Sequence, residues 1–220
     1  MGKIVISANA TLDGVVQDPD GQEGFERGGW FRQFAGGKDL EEWVVNETEE
    51  ALGAEALLLG RRSFEWFASR APSMGERVSR QWADRMNSLP KYVVSSTLER
   101  PRWSNTTVLG RDAEAEISAL KRKADGVILV YASCQLVRTL VARNLADELR
   151  LVVFPVVLGT GRRLFDGTSD NQQLRLIDTR KIGVGLVHHT YEFAPAPGAG
   201  LHAPASAARF ATDRNAPAFL

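Results

Sequence analysis

The chain has 220 residues, 44% hydrophobic and 25% charged, with 27 basic and 27 acidic side chains and no net charge. That is the composition of a globular protein, long enough for one large domain or two small ones, with one the expectation. It carries no basic excess to point to nucleic acid or an anionic membrane as partner. The single cysteine excludes an internal disulfide framework and a multi-cysteine metal site, and no metal is expected. No apolar run approaches the ~20 residues a membrane helix needs. The start, MGKIVISANA, enters a strand pattern at once rather than a leader, so a cytoplasmic protein is the expectation.

In chain order, Lys3–Ala8 reads as a buried strand through Ile4, Val5 and Ile6. Asp13-Gly14 signals a turn, and the polar stretch 17–24 a loop. Phe25, Trp30, Phe31 and Phe34 form an aromatic cluster before a helix expected over 39–52 that carries Trp43. Two readings fit these aromatics: core filling, or one wall of an apolar pocket for a planar substrate. Ala56–Leu59 is a short strand ending in Gly60-Arg61-Arg62-Ser63-Phe64. There a glycine, two arginines and a hydroxyl at a helix start suit a phosphate, or equally a cap with solvated arginines.

A surface helix is expected over 77–86, and strands over 91–94 and 106–109. The hydroxyl run Ser95-Ser96-Thr97 after the first of these strands caps turns or contacts a ribose phosphate. A helix is expected over 114–124. Val127–Tyr131, a small-residue turn, a helix with Leu136, Val137, Leu140, Val141 and Leu145 on one stripe, and a strand over 151–158 make a βαβ-type unit. Its turn, Ala132-Ser133-Cys134, presents helix N–H groups to an anion. Strands over 174–177 and 185–193 close the domain. His188 and His189 are neighbours on one strand and face opposite ways. They read as surface or interface groups and not as one metal site. Residues 194–220 contain ten Ala, four Pro and two Gly and read as a disordered tail after a domain spanning 1–193.

Four segments in this order, ISANATLDGVV, LLLGRRSFE, KYVVSSTL, and LVYASCQLVRTL with DELRLVVFPVVLGTGRRLF, resemble the dihydrofolate reductase-like family. The nearest branch is that of the reductase domain of the riboflavin-biosynthesis deaminase-reductase. The resemblance spans about Lys3–Phe193. It implies a three-layer α/β/α fold with a mixed, mainly parallel sheet and antiparallel C-terminal strands. It further implies an NADPH-dependent oxidoreductase acting on a small molecule such as a pyrimidine ribosylamine or a pterin-like compound, and a homodimer paired through Val187–Phe193. A catalytically silent NADP- or small-ligand-binding homodimer of the same fold is the alternative.

By position, the resemblance puts Ala8 and Asn9 beside the nicotinamide, with Asp13–Val16 starting the loop that closes over it. Gly60, Arg61, Arg62 and Ser63 would hold the pyrophosphate and adenosine side. Ser95, Ser96 and Thr97 would reach the ribose and its 2′-phosphate. Ser133, Cys134, Gln135 and Leu136 would offer N–H groups to the pyrophosphate. Asp13, Trp30, Phe31, Trp43 and Phe64 would line the substrate pocket. Three departures stand out. The family's glycine pair is Ala132-Ser133, at a junction that is a cis peptide in dihydrofolate reductases, and the alanine β-carbon narrows the approach. No carboxylate matches the family's proton donor, leaving Asp39 and Glu42 by proximity alone. SFEWFASRAP stands where the riboflavin reductases carry an Asp-Pro and an arginine.

Overall fold

The computed structural model describes residues 1–73, 75, 78–166 and 171–194. The expected tail from 195 on lies outside them. One eight-stranded sheet runs β4-β3-β2-β5-β1-β6-β8-β7. Its strands are β1 (Lys3–Thr11), β2 (Ala54–Gly60), β3 (Lys91–Val94), β4 (Thr106–Leu109), β5 (Val127–Tyr131), β6 (Glu148–Phe154), β7 (Leu174–Ile182) and β8 (Leu186–Phe193). From β4 to β6 every pairing is parallel, so six strands end on one edge. β8 joins β6 antiparallel, and β7 joins β8.

The βαβ unit is β5, α6 (Cys134–Ala142) and β6, and its two strands flank β1 on either side. α5 (Ala113–Lys123) and α6 cover one face, where Ile4, Ile6, Ile128, Val130, Val137 and Leu140 pack. The other face is covered by α2 (Gly37–Gly53), α3 (Arg61–Arg70) and α4 (Arg80–Ser88) over Val5, Leu57, Leu59, Met86 and Val93. Alternate residues of β1 thus enter opposite layers, as a strand buried on both faces requires. The mixed three-layer architecture is as expected. A short helix, α1 (Trp30–Gln33), precedes α2.

Several expectations are corrected. β6 begins at Glu148, not Leu151, because Glu148–Arg150 already pair with β1, and it stops at Phe154, before Pro155. β7 continues to Ile182, held by β8 through a register shift near Leu176. The helix expected on the surface over 77–86 is α4, and it buries Trp82, Ala83 and Met86. β8 is paired on both sides, so edge pairing of subunits cannot use it; the sheet's outer strands are β4 and β7, and on β7 Leu176 and Ile177 are exposed. His188 and His189 do face opposite ways, but His188 is buried beneath α2 and only His189 meets a surface partner, Thr179.

The β7–β8 turn is fixed by α2. Asp39 Oδ1 accepts the Val184 and Gly185 N–H groups at 2.6 and 2.9 Å, and Oδ2 accepts Gly36 N–H at 3.0 Å. Gly183 sits at φ +60, and a Cβ there would lie 2.3 Å from Asp39 Oδ1, so only glycine fits.

Candidate functional site

The ends of β2, β3 and β5 lie side by side and carry the residues singled out above. Gly60 closes β2 and Ser133 follows β5. The Gly60 N–H donates to Ser133 Oγ at 3.0 Å, and the Ser133 N–H donates to Ser63 Oγ at 2.9 Å. Arg61 reaches across to β3's end: Nη1 donates to Thr97 Oγ1 and Nε to Glu65 Oε1 at 2.8 Å. Gly60, Arg61, Ser63, Thr97 and Ser133 therefore form one connected rim. Ser95 is spent on its own turn, its Oγ accepting the Thr97 and Leu98 N–H groups at 3.2 and 3.0 Å. Ser96 and Thr97 are exposed on that turn.

At the β5–α6 junction Ala132 and Ser133 both adopt left-handed backbone, φ 51 and 59, and no peptide bond among the described residues is cis. Consecutive left-handed non-glycine residues are strained. They turn the chain so that α6 starts at the sheet edge. Its first internal hydrogen bond runs from Val137 N–H to the Ser133 carbonyl. The N–H groups of Cys134, Gln135 and Leu136 precede that bond and have no partner inside the helix. The Leu136 side chain is in the core, so its backbone alone can serve the rim. Burial raises the Cys134 thiol despite the nearby Arg162 and Arg138, so it stays protonated.

Sequence reasoning missed two members of this rim. Arg162, after β6, lies 3.1 Å from Glu23 Oε2, and Arg62 lies 3.9 Å from the same oxygen. The loop after β1 thus crosses the mouth with its carboxylate between two guanidiniums. That loop is pinned to the 158–163 turn: Val16 N–H donates to the Arg162 carbonyl at 2.9 Å, and Val15 bridges Arg163. No local pattern around Glu23 or Arg162 signals the pairing, which depends on two loops 139 residues apart.

Above β1, Trp43 Nε1 donates to Asn9 Oδ1 at 3.0 Å, and Phe31 packs edge-on against Trp43 at 4.6 Å. Asn9, Phe31 and Trp43 are partly exposed and lie together above β1; Ala8 packs toward α6 on the opposite face. Three pocket assignments are corrected. Trp30 is fully buried against Phe154 and donates to the Gln17 carbonyl. Phe64 is buried beside Trp103 under α3. Asp13 accepts from Thr11 Oγ1, Leu158 N–H and Gly159 N–H. Burial pushes its carboxyl up, but those donors win and hold it at about 2. Asp39 and Glu42 both accept backbone N–H groups of the β7–β8 turn. Asp39 is held below the usual range against burial by the Gly185, Val184 and Gly36 N–H groups, and Glu42 accepts Gly183 N–H at 2.6 Å.

The inner face of α2 is unusual. Asp39, Asn46, Glu47, Thr48 and Glu50 are all buried. Burial and the neighbouring Glu50 push the Glu47 carboxyl far above the ordinary carboxylate range. One turn separates it from Trp43.

Fold and rim together define a three-layer α/β/α protein of the dihydrofolate reductase-like class. Residues 2–188 match the model of the RibD C-terminal domain, and the chain belongs to that family. Two Bacillus subtilis (strain 168) proteins, YyaP and YwjB, both described as uncharacterized, are 23% and 24% identical over 87% and 85% of this chain, and over 95% and 96% of their own lengths. Among solved structures, a putative riboflavin biosynthesis protein from Shewanella sp. PV-4 aligns with a TM-score of 0.66 at 17% identity, covering 88% of this chain and 99% of that one. A diaminohydroxyphosphoribosylaminopyrimidine deaminase/5-amino-6-(5-phosphoribosylamino)uracil reductase from Thermotoga maritima aligns with a TM-score of 0.55 at 14% identity, over 88% of this chain and 57% of that longer one. The family is that of riboflavin-pathway reductase domains. No helix among the described residues is long and apolar enough to cross a membrane.

Proposed function

We propose that the protein is an NADPH-dependent reductase that delivers a hydride from the nicotinamide to a small molecule held over Asn9, Phe31 and Trp43. The reading rests chiefly on one observation, the joining of Gly60, Ser63 and Ser133 at the ends of adjacent parallel strands, beside Arg61 and Thr97. A dinucleotide fits such an edge: its pyrophosphate takes the unpaired N–H groups of Cys134, Gln135 and Leu136, and its 2′-phosphate the Arg61 side. Bound NADPH would supply the hydride, while the chain orients the two reactants and shields them from water. A pyrimidine ribosylamine or pterin-like acceptor suits these aromatic side chains. The protein would work in the cytoplasm as a homodimer, with the outer β7 edge the place for subunits to pair.

Titration with NADPH, followed by nucleotide fluorescence, tests the reading. Saturable binding is expected, and its absence up to millimolar nucleotide rejects it. One observation favours a silent binding protein instead: Asp39 and Glu42, the two carboxylates nearest the family's donor position in sequence, are both consumed by backbone N–H groups. Bound NADPH without turnover of carbonyls, imines or pterins would select that alternative.

A further inference from the structure

The face of the sheet under α2 changes character along its length. Near the edge where the parallel strands end it is apolar, with Val152, Phe154, Ile182 and Leu186. At the opposite end it is polar, and a cavity of about 490 Å³ opens there between α2 and strands β6, β8 and β7. That volume suits a small molecule. Glu148, in its wall, lies six residues before Phe154 on β6, about 20 Å from the cofactor edge at the rise of an extended strand.

The wall holds buried polar groups with nothing to bond. Asn46, Glu50 and His188 are 3%, 7% and 3% exposed. Asn46 Nδ2, Glu50 Oε2 and both His188 ring nitrogens lack a hydrogen-bond partner. His188 Nε2 stands 3.5 Å from Glu50 Oε1 without a hydrogen bond between them. Orphaned buried groups of this kind are costly unless something satisfies them. Charge gives the sign of the missing partner. Glu49, Glu50, Glu148 and Asp178 line the cavity against Arg150 and Arg180. Arg150 is committed to Glu148 at 2.7 Å, with its Nη1 3.9 Å from Glu50 Oε1, and Arg180 donates to the Asn46 side-chain oxygen, leaving Glu50 Oε2 without a partner. The free acceptors are therefore a Glu50 carboxylate oxygen and one imidazole nitrogen, beside N–H donors on the other ring nitrogen and the Asn46 amide, and the carboxylate excess in the wall sets the sign. No grouping of three metal-ligating side chains occurs among the described residues, so a bare metal ion does not match.

We propose that this cavity is a second binding site, remote from the nucleotide rim, for a small organic cation whose ammonium or guanidinium N–H groups donate to Glu50 and His188. The site is independent of the reductase reading. The test is calorimetric titration of the full chain, with and without NADPH, using agmatine and putrescine as probes, tetramethylammonium as a cation without N–H donors, and phosphate as an anion. Both amines should bind saturably whether or not NADPH is present, and the His188 ring proton resonances should shift with occupancy. Glu50→Gln should weaken agmatine about tenfold or more, the loss expected for a charge-assisted hydrogen bond. The exposed pair Glu49→Gln/Asp178→Asn, which leaves the core intact, should weaken it severalfold. No amine binding at millimolar concentration, equal binding of tetramethylammonium, preference for phosphate, or a cavity found filled by a second copy of the chain would each overturn the proposal.

Discussion

Ser133 ties two strand ends together, its Oγ accepting the Gly60 N–H at 3.0 Å while its backbone occupies left-handed space at φ 59. Ala132 before it is left-handed too, at φ 51, and exposed. A glycine at 132 would relieve a strain of about 1 kcal/mol. Ala132→Gly should raise the urea midpoint accordingly, with the unfolded chain's extra freedom taking back part of the gain. It should also tighten NADPH by opening the approach to the Cys134–Leu136 N–H groups. A lowered midpoint would show that the junction is not strained.

Glu23 stands between Arg62 and Arg162 at 3.9 and 3.1 Å, so under the proposed function it competes with a diphosphate for both guanidiniums. Glu23→Gln should release both guanidiniums and tighten NADPH by up to about fivefold, the range for an exposed ion pair. The gain should shrink as salt is added. Weaker binding in the variant would mean that the carboxylate helps to build the site.

Arg61 is the cation fixed nearest Thr97. Arg61→Ala should weaken NADPH about tenfold or more and NADH by less than about twofold, since only the former carries the 2′-phosphate. Equal losses in the two titrations would remove Arg61 from 2′-phosphate selection.

Glu47 provides a pH signature. Its folded-state pKa lies above the ordinary 4.5, raised by burial and then by Glu50. Below that value both folded and unfolded chains keep the proton and nothing is lost. Above it the unfolded chain ionises freely and the folded one resists, so the cost grows with pH until the folded carboxyl titrates. Glu47→Gln should therefore be more favourable to stability near pH 8 than near pH 4, read as the difference of two urea series. A pH-independent difference would place Glu47 in water.

Asp13 acts in the opposite direction. Its carboxyl is held at about 2 against an ordinary 3.8. The stability this supplies is complete above about pH 4 and lost as pH falls toward 2. Asp13→Asn should flatten the acid limb of the stability curve and loosen the 158–159 turn. An unchanged acid limb would count against the three hydrogen bonds described for this side chain.

Strands β3, β4 and β5 were readable because each is a short apolar or β-branched run between turn residues, and their spans match. That Gly60, Ser63 and Ser133 meet at adjacent strand ends was readable from the resemblance, because each follows a strand in the sequence. What stayed hidden is tertiary. Asn46, Glu47 and Glu50 look like a solvated helix face, and nothing local says that α2 turns them inward. Trp30 and Phe64 were assigned to a pocket because an aromatic side chain has the same character in a core and in a wall; only packing against Phe154 and Trp103 decides. Arg162 and Glu23 meet through two loops whose separate sequences carry no trace of the other.

The central place of β1 bears on how the chain is made. Its neighbours are β5 and β6, and Ile4 N–H donates to Asp147, 143 residues later. β1 thus lacks both of its partners until β5 and β6 have been synthesised. Folding must be late and slow by the measure of contact separation, and the apolar Ile4-Val5-Ile6 run is a natural client for a chaperone in the interval.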